Sequence, residues 1–71
     1  MPKIPVLTPS EIIKILIKNG FIIDRIKGSH HILVNENTKV RVVVPMHKKD
    51  LPKGTIHEII KQSGLKIEDF S

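Results

Sequence analysis

Two short groups of residues carry the chemical possibilities of this 71-residue chain: Gly28-Ser29-His30-His31, and His47 followed by Lys48-Lys49. An imidazole with a reference pKa of about 6.5 can exchange protons near neutrality, and lysine or arginine stabilises charge developing on a phosphate. Those are the requirements for cutting RNA without a metal. One group takes the proton of a 2′-hydroxyl; another stabilises the phosphorane or protonates the leaving oxygen. Gly28 lets the backbone turn tightly and expose His30, and Ser29 adds a small donor. For the second proton-transfer group His47 is the best placed in sequence, with Lys27 or Lys48 as electrostatic alternatives. Metal chemistry has little to stand on. Side chains of adjacent strand residues diverge, so His30 and His31 do not chelate together, and a His30–His47 zinc site would lack acidic or sulfur ligands. No metal and no other cofactor is expected.

The charge distribution points the same way. The chain is +5, and Arg25 to Lys53 holds seven cations (Arg25, Lys27, Lys39, Arg41, Lys48, Lys49 and Lys53) against Glu36 and Asp50. The whole excess lies there, which favours a polyanionic partner such as nucleic acid. With no cysteine, disulfides, iron–sulfur clusters and thiolate zinc sites are excluded. No apolar run approaches the ~18 residues of a membrane span, and the N-terminus lacks a signal-like segment. A soluble cytoplasmic protein is expected. Only Phe21 and Phe70 are aromatic, so base recognition by stacking is not supported, and the core must come from Ile, Leu and Val.

The elements that position these residues are legible. Thr8-Pro9-Ser10-Glu11 has a cap, a proline at the first helical position and a glutamate three after the cap. Ile12, Ile13, Ile15, Leu16 and Ile17 continue it as a helix over about 9–19, with Gly20 as a left-handed stop. Strands are expected over about 21–26, 30–34 and 39–44, separated by Lys27-Gly28-Ser29 and Asn35-Glu36-Asn37-Thr38. A polar loop leads to a second helix over about 54–63, closed by Gly64. Its start is either a Thr55…Glu58 capping box or an earlier point marked by Pro52. The chain is thus one α+β domain over 1–71, in the order α-β-β-β-α, a three-stranded antiparallel sheet with two helices on one face.

A four-residue loop at Asn35–Thr38 would pair Val34 with Lys39 and His30 with Val43. Paired residues share a face. One face then carries His31, Leu33, Val40, Val42 and Val44 and suits packing under the helices. The other carries His30, Ile32, Val34, Lys39, Arg41 and Val43, and is basic and open. A two-residue turn after Lys27 would add Arg25 to the His30 face; a three-residue turn would not. The start of the second helix is expected nearby, with amides and dipole favourable to phosphate. His31 reads as a structural histidine hydrogen-bonded at the core margin, and His57 as a surface residue.

Gly20-Phe21, Gly28-Ser29-His30-His31, Val44-Pro45-Met46-His47, Leu51-Pro52-Lys53-Gly54-Thr55-Ile56 and Ile59-Ile60-Lys61-Gln62-Ser63-Gly64-Leu65, in this order and spacing, resemble the HicA family of toxin–antitoxin mRNA interferases. The likeness covers about residues 10–70. It implies a fold similar to that of double-stranded-RNA-binding domains and cleavage of mRNA with His30 as the catalytic residue. It also implies a HicB-type antitoxin that covers the active face; the basic surface requires that partner to be acidic. Around His30, the RNA-contacting set is Lys27, Gly28, Ser29, Arg41, His47, Lys48 and Lys49. A contrasting reading is a non-catalytic module that recognises double-stranded RNA by A-form shape.

Overall fold

Thr8 and Glu11 close on each other at the start of the first helix. Thr8 Oγ1 accepts from the Glu11 amide at 3.3 Å, and Glu11 Oε1 accepts from the Thr8 amide at 3.0 Å. This satisfies two amide groups at a helix start, where intrahelical partners are lacking. The structure, a computed structural model, describes residues 4–46 and 49–70. From the capping box runs α1, Pro9–Lys18, with Ile12, Ile13 and Leu16 buried along one side. Gly20 follows with φ +96° and turns the chain into β1, Phe21–Lys27.

β1, β2 (His30–Asn35) and β3 (Arg41–Pro45) form one antiparallel sheet in that spatial order. A helix, α2, spans Lys53–Ser63, and a short 3₁₀ turn at Ile67–Phe70 ends the described chain. The fold is therefore α+β in the order α-β-β-β-α, compatible with that of double-stranded-RNA-binding domains. α1 packs on β1 and β3, and α2 packs on β3. Leu33, Val42 and Val44 point beneath the helices and are wholly buried with Ile12, Leu16 and Ile56. Each such aliphatic contributes about 2 kcal/mol by leaving water. Phe21 and Phe70, 1% exposed, fill the remainder of the core with Leu7, Leu51, Ile59 and Ile60.

The register differs from the expected one by two residues. His30 pairs with Pro45, Ile32 with Val43 and Val34 with Arg41. Asn35 explains the shift. Its Oδ1 accepts from the Asn37 and Thr38 amides at 2.9 and 3.2 Å, and its backbone exchanges bonds with Val40 and Lys39. Lys39 adopts φ +63°, so it belongs to the turn and not to β3. Because side chains alternate with period two, a two-residue shift leaves every assigned face unchanged apart from the loss of Lys39. α2 begins at Lys53 with Pro52 as its cap residue and no side-chain cap bond. The earlier of the two expected starts is the observed one.

Candidate nucleic-acid interface

The Gly28-Ser29 turn holds the centre of the site. Lys27 pairs with His30 across two residues, and Gly28 has φ +59° while Ser29 does not enter positive φ. That is the type II′ pattern, which calls for glycine at the first central position and matches the twist of the flanking strands. A Cβ on Gly28 would meet nothing within 4 Å, so the requirement is conformational and not steric. The Met46 amide donates to the Ser29 carbonyl at 2.6 Å, which ties the turn to the end of β3.

On the face away from the helices, three rows of side chains cross the sheet. The first is Lys27, His30 and Pro45; the second is Arg25, Ile32 and Val43; the third is Ile22, Val34 and Arg41. His30, Lys27, Arg25 and Arg41 are all exposed. The two-residue turn thus brings Arg25 onto the His30 face. Lys49 is exposed three residues after Met46, while His47 and Lys48 lie outside the described residues. Beside the edge strand, Val43 borders a shallow groove of about 470 Å³ formed with Pro52, Gly54, Thr55, Glu58, Ile59 and Gln62 of the α2 side. The first turn of α2 therefore flanks the second row, one row from His30.

His31 faces the helices, opposite Val44 and Ile26. Its Nδ1 is buried and finds no hydrogen-bond partner among the described residues, so the hydrogen bond expected of it at that nitrogen is not made. Asp24 is the residue that the sequence did not disclose. Strict alternation would put it on the face opposite Arg25, but the pairing of β1 with β2 slips between Ile23 and Arg25. This bulge carries the Asp24 carboxylate over the open face, where Arg41 Nη1 donates to Oδ2 at 2.9 Å. Arg25 Nε stands 3.8 Å from the same oxygen. Arg41, expected among the RNA contacts, therefore shares this face with an acidic partner bonded through one Nη1 donor. Among the described residues no three His, Asp or Glu stand together as a metal-ligand set, and no helix is long and apolar enough to cross a membrane.

The described residues thus form a small α-β-β-β-α domain with an exposed histidine among cations on its bare sheet face. Its family is established by sequence: residues 9–65 match the family model described as the HicA toxin of bacterial toxin–antitoxin systems. The match spans most of the chain, which belongs to that family and is the toxin member of a pair that includes an antitoxin. A comparison with curated proteins finds no match.

Proposed function

We propose that the protein is an endoribonuclease that cleaves mRNA, with His30 as the catalytic base and without a metal. The observation that carries this reading is the placement of His30. Among the described residues it is the one imidazole on the open face, exposed and paired across the turn with Lys27. His30 takes the proton of a 2′-hydroxyl as that oxygen attacks the adjacent phosphorus. The new 2′-oxygen–phosphorus bond forms and the 5′-oxygen–phosphorus bond breaks, leaving a 2′,3′-cyclic phosphate and a 5′-hydroxyl protonated from water. Lys27 lies where it can offset the extra negative charge of the phosphorane. Ser29, Lys49 and the backbone at Gly28 complete the proposed contact surface, with His47 and Lys48 added on sequence position alone. With mRNA as substrate, the site of action is the cytoplasm.

The same face suits the antitoxin. Ile22 and Val43 are 44% and 43% exposed between cations, a mixture of apolar and basic surface complementary to an acidic protein. An acidic, HicB-type antitoxin seated there would cover His30 and inhibit by occlusion. The test of the catalytic reading is incubation of the purified protein with RNA in excess chelator, with the products resolved on a gel. Fragments ending in cyclic phosphate support the reading. RNA that is shifted in mobility but uncut identifies a non-catalytic binding module instead.

A further inference from the structure

The Asp24 cluster has a charge pattern unlike the rest of the open face. Two guanidinium groups converge on one carboxylate oxygen, so the cluster retains a net positive charge. The Asp24 side chain is 33% exposed, whereas those of Arg41 and Arg25 are 62% and 70% exposed. The carboxylate is thus the sheltered partner and the cations face outward. Each guanidinium carries five N–H donors in a fork that fits carboxylate and phosphate alike, and the Asp24 contact with Arg41 occupies one Nη1 donor. Arg41 lies opposite Val34, four residues along β2 from His30. At the ordinary strand rise this is about 13 Å, within reach of a short extended strand whose scissile phosphate sits at His30.

We infer that Arg41 and Arg25 form a second phosphate subsite, and that Asp24 is a built-in competitor for it which determines specificity. This rests on the proposal that the open face binds RNA. A backbone phosphate takes the place of the carboxylate on Arg41 only when the strand is already held at the His30 row. A loosely bound polyanion lacks that anchor and finds the two guanidinium groups already partly neutralised by the sheltered carboxylate, so the built-in competitor discriminates between ligands. The bulge is the structural device, since an unbulged β1 would direct Asp24 to the other face.

The test uses the full chain carrying His30→Ala, so that RNA stays intact, and a single-stranded oligouridylate followed by fluorescence anisotropy over a salt series. Asp24→Asn keeps the shape and removes the charge. Binding is expected to tighten about two- to fivefold at low salt, the scale of one exposed ion pair. Its dependence on log salt should change by less than about 0.7, the value for a whole phosphate contact on a single strand, because the bound Asp24 protein already makes the Arg41 contact. Arg41→Gln should weaken binding, and in that background Asp24→Asn should no longer tighten it. Circular dichroism of each variant reports whether the sheet is retained. Unchanged or weaker binding by a folded Asp24→Asn protein overturns the inference while leaving the RNA reading intact, as does an Arg41→Gln protein that binds normally. An oligonucleotide that fails to bind even the Asp24 parent overturns both, and places the fault in the RNA reading itself.

Discussion

His30 and His31 are consecutive residues of β2 with opposite surroundings. His30 is exposed on the bare face beside Lys27, while His31 lies under the helices with a buried Nδ1 that has no partner among the described residues. The proposed chemical role and the structural one thus fall on adjacent residues of a single dipeptide. His30→Ala should abolish RNA cleavage, with a loss of about 10²–10⁴ in single-turnover rate, and should leave the melting temperature within error. His31→Ala should lower stability by about 1 kcal/mol and leave the rate of the folded fraction unchanged. Wild-type cleavage by the His30 variant would remove the catalytic assignment.

Lys27 shares the His30 row and is exposed. Lys27→Ala should weaken RNA binding to a similar extent for all sequences and make the salt dependence shallower by about 0.7. Titrations in graded potassium chloride measure both. An unaltered slope would show that the first row does not meet a phosphate.

Stability towards acid should depend on the start of α1. The Thr8 amide, then the Thr8 hydroxyl, hydrogen-bond to the Glu11 carboxylate and hold its pKa below the ordinary range, with Lys14 adding a smaller effect in the same direction. A pKa lowered by folding contributes stability that is fully present above the unfolded value of about 4.3 and is lost as pH falls through the folded value. Thr8→Ala removes the cap, which costs about 1 kcal/mol at neutral pH. It should also diminish that acid-dependent loss. Urea melts from pH 7 down to about pH 3 would show both effects, and identical acid limbs would mean that the box does not persist in solution.

Lys39 occupies the left-handed region at φ +63°, which costs a residue bearing a Cβ about 1 kcal/mol. Lys39→Gly should therefore raise stability by roughly 0.5 kcal/mol after glycine's larger entropy loss. Lys39→Val should lower it, because a β-branched residue tolerates that conformation worst. Chemical denaturation of the two variants should place the wild type between them.

What could be read from the chain divides by the range of the causes. The Thr8…Glu11 box and the buried Ile12, Ile13 and Leu16 of α1 depend on residues a few positions apart and are found where their spacing put them, though Ile17 of the same apolar stripe is exposed. Lys27-Gly28-Ser29 left a two- and a three-residue turn open, and the two-residue one forms. The two sheet faces were also legible, since alternation in β2 and β3 depends only on period two. Loop length was not. Nothing in Asn35-Glu36-Asn37-Thr38 announces that Asn35 would cap the turn and draw Lys39 into a left-handed conformation. Asp24 was hidden for a related reason, because a bulge reverses the alternation by which faces are assigned, and its ion pair with Arg41 spans 17 residues.

Phe70 gives the domain a different outline from the pattern that defines its family. It is 1% exposed in the core, and Leu7 is 8% exposed at the opposite end of the chain, yet the family match runs over residues 9–65. Leu7 also accepts the Leu51 amide at 3.1 Å through its carbonyl, which fastens the approach to α2. A segment trimmed to the shared pattern would keep the three strands and His30 but lose the aromatic plug, the Leu7 latch and the Thr8 cap together. The core is thus wider than the segment by which the family is recognised, and residues that seal it lie outside that segment at both ends.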